Sequence, residues 1–174
     1  WELDQPYNKT FENMIETKTF RGEQSFLIRG IKTEHERLSL IQLASMTIEF
    51  YQKLNILILG SGDSNLERGL QNLQNFYHGN YNTYIGYNEK LAHIIYAGAD
   101  FLLMPSRVEP CGLNQMYALR YGTIPIVRRT GGLKDTVYDF GDGGFGICHD
   151  KTSVFDVTHS IYRGIQLYAD TNTF

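Results

Sequence analysis

Short apolar runs alternate with longer amphipathic stretches along this chain, and that alternation predicts its elements. Residues 1 to 24 are polar and read as an amino-terminal arm or linker remnant. Ser25 to Arg29 reads as a first strand, stopped by Gly30. Glu36 to Lys53 spaces Leu38, Ile41, Met46 and Phe50 as one core-packed helix face would. Leu54 to Leu59 has the composition of a buried strand, closed by the turn Gly60-Ser61-Gly62-Asp63. Asn65 to Phe76 reads as a helix through Leu66, Leu70 and Leu73, and Thr83 to Ile85 as a brief strand. Asn88 is placed to cap a helix through Leu91, Ile94 and Ile95.

The stretch from Phe101 to Leu133 holds the most information. Phe101 to Met104 has the length and composition of a buried parallel strand. A polar loop with Arg107 and Glu109 follows, and Gly112 opens a segment with Leu113, Met116, Tyr117 and Leu119 at helical spacing. Gly122 is placed to stop that helix, and Thr123 to Val127 is strand-like again. Lys134 to Tyr138 reads as a short helical turn, and Asp156 to Tyr168 as a last helix. Gly141 to Gly146, with four glycines, is either a loop beside the site or a long connection. Repeated strand–helix alternation predicts an α/β fold, a doubly wound parallel sheet with its chemistry at the carboxyl ends of the strands.

Length and charge narrow the function. A chain of 174 residues can bury one good core. The net charge of −3 exerts no general pull toward nucleic acid or an anionic membrane. No apolar run approaches the roughly 20 residues needed to span a bilayer. Cys111 and Cys148 make no disulfide framework, and free thiols suit a cytoplasmic setting. The five histidines show no metal-ligand spacing, so no metal or cofactor is expected. Trp1 in place of an initiator methionine points to a piece of a longer protein.

Glu109 and the helix start three residues beyond it are the first chemical candidate. A carboxylate above a strand end accepts hydrogen bonds from ligand hydroxyls. The amides of Gly112, Leu113 and Asn114 would face outward at the helix start, a natural phosphate seat. The plain alternative is an exposed Glu and a Gly that eases a turn. Gly60-Ser61-Gly62-Asp63 would let a nucleotide approach the backbone but lacks the full dinucleotide fingerprint, so a tight turn with Asp63 as helix cap competes. Tyr87 would stack on a base or simply pack. Cys111 reads as a packed or ligand-lining thiol, with no His partner close in sequence. Arg128-Arg129 at a strand end calls for an anionic ligand or acidic partners, or else points to opposite faces.

The runs Pro105-Ser106-Arg107-Val108-Glu109-Pro110-Cys111-Gly112-Leu113-Asn114-Gln115 and Arg128-Arg129-Thr130-Gly131-Gly132-Leu133 closely resemble the bacterial glycogen synthases and plant starch synthases. The resemblance covers about residues 55 to 150. It implies a Rossmann-like domain, one half of a GT-B two-domain architecture, over residues 25 to 174. This half would hold a nucleotide-sugar donor, and a missing amino-terminal domain of the same chain would supply acceptor binding. By resemblance, Glu109 would hold the glucose hydroxyls of ADP-glucose, and Cys111, Gly112 and Leu113 the sugar and distal phosphate. Tyr87 would line the adenine pocket, with Gly60, Gly62 and Asp63 by the nucleotide, and Thr130, Gly131 and Gly132 would wall the reacting centre. Asn114 stands where the family has Thr. The family's diphosphate-gripping Arg and Lys lie five residues apart. Here Arg29 matches the Arg, Lys32 stands three residues on, and Glu34 takes the fifth position.

The function so implied is a retaining glucosyltransferase that moves glucose from ADP-glucose to the non-reducing end of an α-1,4-glucan. A nucleotide-sugar epimerase of the same architecture and a non-catalytic nucleotide- or glucan-binding module are the alternatives.

Overall fold

The computed structural model describes the backbone of residues 24–28 and the whole of residues 54–170. Residues 1–23 of the arm expected over 1–24, the helix expected from Glu36 to Lys53, and both Arg29 and Lys32 lie outside the described residues, while Gln24 belongs to the first strand rather than the arm. Among the described residues six parallel strands form one sheet: β1 (Gln24–Ile28), β2 (Leu54–Gly60), β3 (Tyr81–Ile85), β4 (Phe101–Met104), β5 (Ile124–Arg128) and β6 (Ile147–His149). Between them run α1 (Ser64–Leu73), α2 (Glu89–Gly98), α3 (Asn114–Tyr121) and α4 (Gly131–Thr136), and α5 (Val154–Ala169) follows β6. The order β3-β2-β1-β4-β5-β6 is that of a doubly wound Rossmann sheet, as expected. Its strand order reverses between β1 and β4, where Phe26 pairs with Phe101 and Ile28 with Leu103.

The strands read as apolar runs because both faces of the sheet are covered. Side chains alternate across a strand, so one face takes Ile56, Ile58, Phe101, Leu103 and Ile126, packed with Leu66 and Leu70 of α1 and Ile161 of α5. The opposite face takes Leu57, Leu59, Leu102, Met104 and Val127, packed with Leu91 and Ile95 of α2, Ala118 of α3 and Leu133 of α4. Each fully buried Leu or Ile contributes about 1.5–3 kcal/mol of transfer free energy, so β4, buried along its whole length, anchors the loop that leaves it.

Local signals set the helix ends. Asp63 caps α1, its Oδ1 accepting from the amides of Asn65 at 2.9 Å and Leu66 at 3.1 Å. Asn88 caps α2 by accepting from the Leu91 amide at 2.9 Å. Gly122 ends α3 in the left-handed region at φ 83°, as its place in the sequence requires. Two helices that border the site start elsewhere than expected, and the strand expected at Thr83 and the last helix expected at Asp156 each start two residues earlier, at Tyr81 and Val154. The loop after β4 holds Gly112 at φ 65°, so α3 begins only at Asn114. Helix α4 begins at Gly131, ahead of the turn expected at Lys134.

The glycine-rich stretch 141–146 proves to be the connection into β6, with Gly146 beside Pro125 near the start of β5 and Asp142 reaching Arg129 just past its end. There Phe140, Phe145 and Gly146 line a cavity of about 430 Å³ with Thr123, Ile124 and Leu167. Edge strand β6 is sealed by an ion pair. Cys148 lies between the residues that bond β5, and its amide donates to Asp139 Oδ2 at 2.7 Å while its carbonyl accepts from Arg163 at 3.3 Å. Arg163 also grips Asp139 at 2.6 and 3.0 Å. The pair thus occupies backbone groups that an open edge would offer to another chain. Among the described residues no helix is long and apolar enough to cross a membrane.

Candidate functional site

Among the described residues, four loops at the carboxyl ends of the strands carry the candidate site residues. Gly60 to Asp63 follows β2, Gly86 to Asn88 follows β3, Pro105 to Leu113 follows β4, and Arg129 to Thr130 follows β5. The first two are joined by the Gly86 amide, which donates to the Gly60 carbonyl at 2.9 Å. Tyr87 therefore stands beside the Gly60 turn, 76% exposed, with its hydroxyl 3.4 Å from Glu89 Oε2.

Within the β2 turn the polar groups are already engaged. The Gly62 amide donates to Glu67 Oε1 at 2.8 Å, and Asp63 caps α1. The helix-cap reading of Asp63 is thus realised. What this turn offers a ligand is open backbone at Gly60, where an added Cβ would meet nothing within 4 Å.

The loops after β4 and β5 are locked together through their backbones. The Gly132 amide donates to the carbonyls of Glu109 at 3.0 Å and Pro110 at 3.2 Å. A Cβ on Gly131 would fall 2.0 Å from the Glu109 carbonyl oxygen, and one on Gly132 would fall 2.1 Å from that of Cys111. Neither position admits any other residue without moving the loop, which explains the glycine pair. Thr130, as N-cap of α4, makes no side-chain cap bond.

Glu109 is half-buried on this platform, its Oε2 3.4 Å from Ser106 Oγ. Cys111 and Leu113 are exposed and Gly112 is half-buried, so the corner past Cys111 is open. Leu113, the N-cap of α3, provides no side-chain cap, so no side-chain oxygen shields that helix start. Asn114 is oriented from below, its Oδ1 accepting from the hydroxyl of buried Tyr96 at 3.0 Å. Glu109, Cys111, Gly112, Leu113, Asn114, Thr130, Gly131 and Gly132 are thus brought together, with Gly60 and Tyr87 across the same end of the sheet.

The adjacent arginines resolve into tethers. Arg128 donates to the carbonyls of Arg107 at 2.7 Å and Asp150 at 2.9 Å, holding the β4 loop to the end of β6. Arg129 meets acidic partners, Asp150 at 3.4 Å and Asp142 at 3.6 Å. Cys148 is buried, and that burial pushes its thiol pKa up to about 11, which makes it inert. Burial likewise holds His149 below the usual imidazole value, leaving it neutral. No cluster of metal-ligating side chains occurs among the described residues.

Sequence reasoning passed over Gln115 and Thr136. Gln115 is fully buried, and its Nε2 donates to Gly112 O at 2.9 Å, Thr136 Oγ1 at 3.0 Å and, more weakly, Cys111 O at 3.4 Å. Thr136 Oγ1 in turn donates to Gly132 O at 2.6 Å. The signal for Thr136 was its place four residues after Gly132, the spacing of a hydroxyl bonded back onto its own helix. A Gln near a helix start carries no such mark.

Comparison with known proteins agrees with this geometry. A family model described as "Glycosyl transferases group 1" matches residues 33–161. A glycogen synthase of Flavobacterium johnsoniae is 67% identical over 126 residues, covering 72% of this chain and 27% of that protein. A glycogen synthase of Rhodospirillum rubrum is 51% identical over 120 residues, covering 68% of this chain and 25% of that protein. The catalytic domain of starch synthase IV from Arabidopsis thaliana, bound to ADP and acarbose, superposes with a TM-score of 0.75 at 25% identity. That match covers 93% of this chain and 35% of the other. The chain thus spans about a quarter of the length of these curated relatives. With the matched model running from before β2 into α5, across every loop of the site, this chain belongs to the glycosyl transferases group 1 family.

Proposed function

We propose that this chain is the donor-binding half of a retaining glucosyltransferase that moves glucose from ADP-glucose to the non-reducing end of an α-1,4-glucan. The observation that carries the reading is the open, uncapped start of α3 beside Glu109, held rigid by Gly131 and Gly132. The 67% identity to a glycogen synthase and the likeness to a starch synthase bound to ADP support it.

In this reading the distal phosphate of the donor rests on the amides past Cys111, with the positive end of the α3 dipole behind them. As the sugar–phosphate bond breaks, charge builds on the departing phosphate oxygen. Amides that hold this oxygen more strongly in the transition state than in the ground state lower the barrier. Glu109 accepts hydrogen bonds from glucose hydroxyls and sets the anomeric carbon against the acceptor; it transfers no proton. Gly60 and Tyr87 form the nucleotide wall, and Thr130 to Gly132 the wall near the reacting carbon. Arg29 and Lys32 belong to the diphosphate grip in this proposal. An amino-terminal partner domain supplies the acceptor side, and the enzyme works in the cytoplasm.

The test is glucan elongation from labelled ADP-glucose by a protein joining this chain to its amino-terminal partner. Glu109→Ala is expected to reduce kcat by at least a hundredfold. Unchanged elongation would remove Glu109 from the mechanism, and release of an epimerised sugar without acceptor would favour the epimerase.

A further inference from the structure

Outside the donor corner lie the cavity between Phe140 and Phe145 and the aromatic cluster of His93, Tyr96, Tyr117 and Tyr121, and beneath the corner lies the buried amide of Gln115. Only the last has partners that fix what it does. We propose that Gln115, braced by Thr136, is a positioning residue that aims the amides of the donor loop at the distal phosphate. The inference rests on the donor reading above and adds the element that orients the phosphate seat.

The argument is one of peptide geometry. A trans peptide is planar, and its N–H points opposite to its C=O. The carbonyls of Cys111 and Gly112 are drawn inward to Gln115 Nε2. The N–H groups of the same two peptide units, those of Gly112 and Leu113, must then point away from Gln115. The Pro110 carbonyl is drawn inward too, by the Gly132 amide, which turns the Cys111 N–H outward. Three successive amides are therefore aimed together, as in anion-binding backbone nests. Gln115 supplies the inward pull on two of the three.

The direction of the Gln115 amide is itself settled by its surroundings. Its Nε2 faces two carbonyl oxygens and the Thr136 hydroxyl, whose proton is directed to Gly132 O. The reverse orientation would set oxygen against oxygen in a site with no exposure to water. Gln115 Oε1, by contrast, is buried with no hydrogen-bond partner. A buried amide left half-satisfied is costly, so the residue holds its place through what its NH₂ group does. The same group ties α3 to α4 through Thr136, so the loop, the helix start and the Gly131–Gly132 turn move as one body.

Titration calorimetry of this chain with ADP and AMP, and with UDP and UMP, tests the inference, because only the diphosphates reach the aimed amides. The wild-type chain should prefer a diphosphate over its monophosphate. Gln115→Met keeps the volume and removes the donor, and Thr136→Val removes the brace. Each should lose roughly tenfold in diphosphate affinity, the worth of one charge-assisted hydrogen bond, while monophosphate affinity holds within about twofold. Thr136→Ser restores the hydroxyl and should bind as wild type does. Should Gln115→Met fail to fold, Thr136→Val decides. A folded variant with the wild-type diphosphate preference, or one that loses both nucleotides equally, overturns the positioning role and leaves the donor reading standing. A wild-type chain that binds neither diphosphate overturns both.

Discussion

The amide of Gly132 donates to the carbonyl of Glu109 at 3.0 Å, across 23 residues of chain. This bond makes one platform of two loops that leave neighbouring strands. Any residue larger than glycine at 131 or 132 would strike the carbonyls of Glu109 or Cys111. The carboxylate of Glu109 is therefore placed by the backbone beneath it, and the crowding of that backbone leads to the first prediction.

Gly132→Ala should cut nucleotide affinity at least tenfold, because its Cβ would sit 2.1 Å from the Cys111 carbonyl oxygen and displace the loop. Gly122→Ala is the control. Its φ of 83° strains alanine, yet an added Cβ meets nothing within 4 Å. About 1 kcal/mol of stability should be lost there with affinity intact. Thermal unfolding and calorimetry on the two variants check the contrast; equal affinities would show that the glycine pair is not what shapes the site.

Asp63 separates a structural role from a ligand role. As the cap of α1 it bonds two amides, so Asp63→Ala should cost about 1 kcal/mol of stability. Asp63→Ser keeps a cap and should recover most of that loss. If capping is the whole role, nucleotide affinity stays within about twofold in both variants. A larger drop in Asp63→Ser would assign the carboxylate to the ligand.

The Asp139–Arg163 pair sets an acid limit on the fold. Burial pushes the Asp139 pKa upward, but the Arg163 guanidinium and the amides of Cys148 and Gly141 outweigh it and hold the carboxyl below its ordinary value. A carboxyl depressed in the folded state contributes stability that is present above its unfolded pKa. That stability is lost as pH falls through the folded one. Denaturant unfolding from pH 7 down to pH 3 should show this loss. Asp139→Asn should be less stable at pH 7, and its stability should fall less steeply with acid. Arg163→Met, which leaves Asp139 buried without its cation, should cost roughly 3–5 kcal/mol at pH 7. Parallel pH curves for wild type and Asp139→Asn would contradict this account of the edge.

The parts legible in the sequence were those governed by local physics. Leu54 to Leu59 and Phe101 to Met104 read as buried strands because both faces of the sheet are covered, and their apolar runs state as much. Asp63, Asn88 and Gly122 declared helix ends through capping chemistry that depends on a few neighbouring residues. Gly131 was harder. A glycine pair reads as a turn, and only the approach of the Glu109 and Cys111 carbonyls, 20 or so residues away in sequence, shows that it packs a platform and starts α4. The stretch 141–146 could not be placed until its contacts with Pro125 and Arg129 were known. Arg128 and Arg129 read as a charge problem, and the structure solves it with carbonyls and with Asp142 and Asp150, none of which adjacency reveals. Gln115 was silent for the same reason: near a helix start, a buried amide and a solvated one are the same letter.

Amide chemical-shift mapping of this chain with ADP-glucose tests the central claim most directly. The account predicts the largest shifts at Cys111, Gly112 and Leu113, with smaller ones at Tyr87 and Thr130 to Gly132, and none around Phe140 and Phe145. Shifts gathered at the Phe140–Phe145 cavity, or a donor loop that does not respond while ligand is bound, would contradict it.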